Sequence, residues 1–158
     1  VYKRQALYDM LHVETDRVIK KRCDNYMSWK TPKTDWKHTD NVNIEDYNRW
    51  IGNIAYLKEL SLEVYKAYTL VSMGEEKGYA DYVYADEINA IEANLAAICA
   101  NTYPFPVGSQ QTYYPNQPTP DYKEFNRIES ACLLIYNNLI GQINGRKRLI
   151  FTLGGERF

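Results

Sequence analysis

Two histidines, His12 and His38, are the chain's whole supply of imidazole. Asp35 and Asp40 flank His38, and a neighbouring carboxylate is how a general base is oriented; on so polar a stretch the same trio also reads as a solvated turn. Glu92 and Glu129 would suit a glycosidase-like carboxylate pair, yet both follow an apolar residue on a helix flank, where an ion pair or a solvated charge is the ordinary role. Cys132 falls on an apolar helical stripe and Cys99 sits beside Ile98, so both read as inert core thiols. The three cysteines, an odd number without framework spacing, suit reduced thiols of an intracellular protein. Arg146-Lys147-Arg148 stands past an expected helix end, where it complements terminal carbonyls or meets phosphate. Gly154-Gly155 is too short for a phosphate loop. The sequence offers no His-based metal cluster, Cys-pair spacing, Gly-x-Ser-x-Gly elbow or Walker loop. The expectation is therefore no enzyme: no catalytic residues, no cofactor and no metal.

Binding is better provided for. Fifteen Tyr, 3 Trp and 4 Phe in 158 residues exceed what so small a core should bury, so some should face a partner. Tyr103, Phe105, Tyr113 and Tyr114 lie among Pro104, Pro106, Pro115 and Pro118; such aromatics suit sugar rings and protein interfaces alike. With 19 basic and 20 acidic side chains the net charge is −1, which argues against general nucleic-acid binding. No run approaches a membrane span, and the first residues lack signal-peptide order.

The elements that must position these side chains are mainly helical. Residues 27–42 read as an extended, turn-rich arm holding Trp29 and Trp36. Asn43 caps a helix whose stripe is Ile44, Tyr47, Ile51 and Ile54, continuing to about Tyr68. A second helix from about Ala85 to Ala100 presents Ile88, Ile91, Leu95 and Ile98 on one face. Residues 101–118 are proline-rich and extended. A third helix opens with Thr119 as cap and Pro120 at its first position, and runs through Phe125, Ile128, Cys132, Ile135, Leu139 and Ile143, with Gly141 or Gly145 as its stop. Residues 148–153 read as a short β-prone run, an edge strand or docking tail. The fold expected is mainly α: three amphipathic antiparallel helices with Pro/aromatic arms and a short C-terminal β-strand.

The helices share a signature. Asp46-Tyr47-Asn48-Arg49-Trp50, Glu87-Ile88-Asn89-Ala90-Ile91 and Glu124-Phe125-Asn126-Arg127-Ile128 each read acidic, apolar, Asn, any, apolar. Asn is a poor helix-interior residue, so three copies at one phase need a reason. Either each amide bonds the backbone of the loop preceding its own helix and locks loop to helix, or the three line one face and bind a neighbouring subunit's backbone. The pattern suggests a duplicated helix unit. The leader stands apart: Val1-Tyr2-Lys3-Arg4-Gln5 matches the translation of a library-preparation adapter and reads as a scar, and residues 6–26 read either as untranslated sequence ahead of a native start at Met27 or as a leader whose Ala6–Arg22 stretch, with Leu7, Leu11 and Val18, forms a weakly amphipathic helix. Residues 27–158 are then a single helical domain.

Met27-Ser28-Trp29-Lys30-Thr31-Pro32-Lys33-Thr34-Asp35-Trp36, the Asn43–Ile51 segment, Phe125-Asn126-Arg127-Ile128-Glu129 and Phe151-Thr152-Leu153-Gly154-Gly155 resemble small structural proteins from tail and baseplate modules of bacteriophages and prophages of gut Gram-positive bacteria. The resemblance covers most of residues 27–158. It implies a virion subunit made in the host cytoplasm, with other virion proteins and copies of itself as partners, and neither nucleic acid nor membrane. The expected partner-binding residues are Trp29, Trp36, Asn48, Asn89, Tyr103, Phe105, Tyr113, Tyr114 and Asn126. The alternative is a carbohydrate-binding or host-adhesion module.

Overall fold

Asn43 starts the first helix by a reciprocal exchange: its side-chain oxygen accepts the Asp46 N–H while the Asp46 carboxylate accepts the Asn43 N–H, each at 3.0 Å. A computed structural model describes the backbone of residues 28–153 and the side chains of residues 28–145. It contains three helices, α1 (Ile44–Leu62), α2 (Ala85–Asn101) and α3 (Tyr122–Leu153), and no strand among the described residues. The expected doubtful leader, 1–26, lies outside them, as does Gly154-Gly155.

Each helix buries the stripe its period announces. Tyr47, Trp50, Ile54 and Leu57 of α1, Ile91, Leu95 and Ile98 of α2, and Ile128, Ile135 and Leu139 of α3 form one core. Burial of each large apolar side chain contributes about 1.5–3 kcal/mol. Starts and stops differ from expectation in three places. The first helix ends at Leu62 rather than near Tyr68, its last turn tightened where the Ser61 carbonyl accepts the Val64 and Tyr65 N–H groups at 3.0 and 2.8 Å. The third helix begins at Tyr122 rather than Pro120, because Asp121 Oδ1 accepts the Lys123 and Glu124 N–H groups at 2.8 and 3.1 Å and so acts as the cap. It passes both Gly141 and Gly145 and takes in residues 148–153, the segment expected as a strand. A glycine stops a helix only where the chain turns left-handed, and neither does so.

The helices run in the same sense, which corrects the antiparallel expectation. Trp50, near the start of α1, donates its indole N–H to Glu129 near the start of α3 and stacks on Phe125 with centroids 4.9 Å apart. Arg127, near the start of α3, pairs with Glu92 near the start of α2. At the other end, Tyr65 just past α1 donates to Gln142 far along α3 at 2.7 Å. Parallel neighbours need a return path of some 28 Å, the length of a 19-residue helix. The connections 63–84 and 102–121 supply it, since about nine extended residues suffice.

The result is a threefold repeat of an arm followed by a helix. Asn48, Asn89 and Asn126 each lie five residues after the cap positions Asn43, Tyr84 and Asp121. Arms 30–36, 71–77 and 107–113 precede the three helices, and each arm crosses from its own helix to the helix before it, the first arm closing the ring on α3.

Candidate functional site

The amides do the fastening. Asn48 Nδ2 donates to the Lys77 carbonyl at 2.9 Å and its Oδ1 accepts the Lys77 N–H at 2.8 Å. Asn89 holds Tyr113 in the same two-way grip at 2.8 and 2.8 Å, and Asn126 holds Trp36 at 3.0 and 2.8 Å. Each side chain imitates a neighbouring strand, satisfying both backbone groups of one arm residue. The asparagines expected at a partner interface are thus used inside the molecule, and the loops they hold are not the loops preceding their own helices.

A second amide, five residues on, holds the other end of two arms. Asn53 grips Lys30 at 3.0 and 2.8 Å, and Asn94 grips Val71 at 2.8 and 2.8 Å. The equivalent residue in α3 is Ala131, which has no amide. There the Val107 N–H turns back to the Phe105 carbonyl at 2.9 Å and the Val107 carbonyl accepts from Arg127 at 3.4 Å. Gly108 fits beside it with φ +82°, where a Cβ would stand 2.6 Å from Arg127 Cδ.

Charge follows the same rotation. Arg49 of α1 pairs with Asp46 at 2.8 Å and with buried Glu129 of α3; Arg127 of α3 pairs with Glu124 at 2.8 Å and with buried Glu92 of α2. The third set, between α2 and α1, is apolar: Ala90 and Ile51 stand where the Arg and Glu would be, and both are buried. Glu129 also accepts the Trp50 indole at 2.8 Å and the Lys33 N–H at 3.0 Å. Burial pushes Glu92 above the usual carboxylate range, while the Arg127 guanidinium opposes that rise. Of the two roles expected on a helix flank, both carboxylates take the ion pair and neither is a solvated charge.

The other chemical candidates are equally occupied. Asp40 takes the Lys33 ammonium at 2.7 Å and the Lys37 N–H at 3.2 Å, leaving His38 exposed beside Tyr122. Lys33 holds Asp40 below its ordinary value. Burial raises the thiols of half-buried Cys99 and fully buried Cys132, which keeps both in the unreactive protonated form. Among the described residues no group of three or more His, Cys, Asp or Glu could hold a metal, and no helix is long and apolar enough to cross a membrane.

Of the aromatic residues expected to grip a partner, four pack against their own helices. Trp36 and Phe105 are buried, Trp29 stacks on Tyr136 at 4.2 Å, and Tyr113 lies half-buried against the core. Tyr103 and Tyr114 remain 57% and 64% exposed. The Trp36 indole N–H and the Tyr113 hydroxyl, at the same position of two arms, are buried without a partner.

With arms and helices placed, one hollow collects all three repeats. Val42, Val83 and Pro120 each precede a cap, and Tyr47, Ile88 and Phe125 each follow it by four residues, the pairing of a hydrophobic staple. All six line a cavity of about 650 Å³ where the three helices begin. An adjoining hollow of about 900 Å³ shares Val83, Ile88, Thr119 and Pro120 and adds Tyr84, Tyr113 and Tyr114. Around them Tyr79, Tyr82 and Tyr84 are exposed, at 89%, 74% and 61%. Sequence reasoning passed over Val42, Val83 and these tyrosines; the common distance of Val42, Val83 and Pro120 from the repeated Asn was the signal that would have found the ring.

No family model, curated protein or solved structure matches the chain.

Proposed function

We propose that this chain is a structural subunit of a phage virion, a tail or baseplate component that assembles with neighbouring virion proteins and with copies of itself. The observation that carries the reading is the exposed aromatic and apolar face at the starts of the helices, where Val42, Val83, Tyr84 and Tyr114 line two hollows and Tyr79 and Tyr82 stand exposed in the segment leading to Val83. Large aromatic anchors beside pockets carry most of the binding energy in protein interfaces. The resemblance of most of residues 27–158 to small virion proteins supports it. So does the engagement of Glu92, Glu129 and Asp40 in structural ion pairs, which ties up the carboxylates that the sequence offered for acid–base chemistry. Gripping a partner falls to Tyr79, Tyr82, Tyr84, Tyr103 and Tyr114, because Trp29, Trp36, Phe105 and Tyr113 are engaged internally. The subunit is made in the bacterial cytoplasm and ends in the particle. Immunogold labelling of purified virions from an induced lysogen should decorate the tail or its end; label confined to the soluble lysate would overturn the assignment.

A second reading, carbohydrate binding, is favoured by one observation: the larger hollow sets the exposed rings of Tyr84 and Tyr114 beside Asp86, Asn116 and Gln117. Aromatic faces with amide and carboxylate groups at their edges suit a sugar ring. A glycan array separates the two: saturable binding to cell-wall saccharides, lost in Tyr114→Ser, belongs to the adhesion reading alone.

A further inference from the structure

Repeated units solve one folding problem with different residues, so each shows what the others did not need. Counted from the arm residues gripped by asparagine, Trp36 and Lys77, the residues Lys37, His38, Asp40, Asn41 and Asn43 of the first unit answer to Gly78, Tyr79, Asp81, Tyr82 and Tyr84 of the second. The two turns have one geometry. Asp40 donates its N–H to the Lys37 carbonyl and Asp81 to the Gly78 carbonyl, both at 3.0 Å, and each carboxylate accepts the N–H of that same residue, at 3.2 and 2.7 Å. Polar side chains therefore suffice where the second unit places three exposed tyrosines. One of them is held at the expense of its helix. Asn43 and Asp121 cap α1 and α3 with a side-chain oxygen, whereas Tyr84, at the same position before α2, makes no side-chain cap bond. Large rings kept in water where the fold does not ask for them mark a contact surface.

Charge departs at the same place. In the first unit Lys33, three residues before Trp36, bonds Asp40 at 2.7 Å and lies 4.0 Å over the Trp36 ring, so a carboxylate and an aromatic face hold one ammonium between them. Gly74 stands at the equivalent position of the second unit, and no lysine bonds Asp81. Residues 75–87 carry five carboxylates against one ammonium, Lys77, which is paired with Glu87 and lies 5.9 Å from the centre of the Tyr84 ring. Glu75, Glu76, Asp81 and Asp86 are left exposed and, among the described residues, outside any ion pair.

We propose that the tyrosine-rich acidic segment 75–87 is a docking surface for a Lys- or Arg-bearing segment of a neighbouring protein, one of whose cations takes at Asp81 the place that Lys33 fills at Asp40. A cation over an aromatic face is attracted by the ring quadrupole, and a carboxylate beside it adds a charge-assisted hydrogen bond. Four unpaired carboxylates steer such a segment in from a distance and turn acidic ones away. The turn closed between Gly78 and Asp81 and the helix that starts after Tyr84 order the surface before a partner arrives, which lowers the entropy lost on binding. The inference rests on the assembly reading above and deepens it by naming the surface and the chemistry of the partner.

Backbone NMR of the full chain, titrated with a synthetic peptide of alternating arginine and glycine, tests it, the glutamate–glycine peptide serving as control. The arginine peptide should bind saturably, move signals concentrated in residues 75–87, and bind more weakly as salt is raised. Asp81→Asn, whose amide oxygen still accepts the Gly78 N–H, should weaken binding about two- to fivefold, and Tyr79→Ser by a similar factor. Tyr84→Asn separates contact from folding. It supplies the oxygen that caps the first helix, so it should raise the thermal midpoint while weakening the same binding. No binding of the arginine peptide overturns the proposal, as do shifts centred elsewhere or binding that all three substitutions leave unchanged. Shifts at 75–87 that appear when the chain is concentrated without peptide would give the surface to a second copy and overturn it too. Failed binding by a chain that immunogold still finds on virions would remove this surface and leave the virion assignment standing; binding by a chain whose label stays in the lysate would keep the surface and remove the virion.

Discussion

A carboxylate taken out of water needs a donor for each lone pair, and Glu129, 1% exposed, finds them in the Arg49 guanidinium, the Trp50 indole and the Lys33 amide. Glu129→Ala leaves all three without that partner inside the core, so it should cost about 3–5 kcal/mol in urea unfolding. The two buried phenols make opposite predictions. Tyr47 donates to the Met73 carbonyl at 2.7 Å, so Tyr47→Phe should cost about 1 kcal/mol. The Tyr113 hydroxyl has no partner, so Tyr113→Phe should be neutral or more stable by up to about 1 kcal/mol. Burial first, and nearby carboxylates second, push both phenols up to about 12. An acid whose folded value is raised contributes stability that is fully present below the unfolded value near 10 and is lost as pH rises towards 12. Burial raises Tyr68 as well, so among the described residues alkaline difference absorbance should show Tyr47, Tyr68 and Tyr113 titrating late, and stability should decline across that window. Tyr47→Phe with Tyr113→Phe should flatten the decline; an unchanged slope would remove these phenols as its cause.

At the scale of elements, the three interfaces of one repeat form a natural substitution series. The α1–α3 and α3–α2 contacts use Arg with Glu, whereas the α2–α1 contact places Ala90 and Ile51 at the same positions. Replacing a buried ion pair by apolar residues is often neutral or stabilising, whereas breaking it from one side is costly. Arg127→Ala alone should thus cost about 3–5 kcal/mol, and adding Glu92→Ile should recover most of the loss. A double variant as weak as the single one would show that the guanidinium serves chiefly by bonding the Val107 carbonyl. Glycines divide on the same grounds. Gly108→Ala meets both a positive φ and Arg127, and should destabilise; Gly141→Ala, mid-helix with open space around its Cβ, should gain about 1 kcal/mol in thermal unfolding. The helices were legible in the sequence because a 3.6-residue period is written in side chains. The arms were not, because each is recognised through its backbone: Trp36, Lys77 and Tyr113 are equivalent in space but share no side-chain type. Helix direction was legible but misread. Connections of 22 and 20 residues are far longer than antiparallel neighbours need, and with a motif repeated at one phase they signify parallel units.

For the whole molecule the consequence is closure. Every arm fastens to a helix of another unit, including arm 30–36, which reaches across the sequence to α3, so no arm–helix unit is complete alone. A linear stack of units would fray from an end, whereas a closed ring has none, and its units should unfold together. Hydrogen exchange at three backbone amides reads this directly. The N–H groups of Trp36, Lys77 and Tyr113 are each held by a single asparagine, and in the native protein all three should exchange only through the same cooperative opening. Asn126→Ala releases the Trp36 amide locally, so that site should become nearly unprotected. Protection at Lys77 and Tyr113, on the other two helices, should fall by an equal factor, set by the lost global stability of about 1–3 kcal/mol. Were Lys77 and Tyr113 to keep their protection while Trp36 lost its own, the units would be independent and the ring a matter of shape alone.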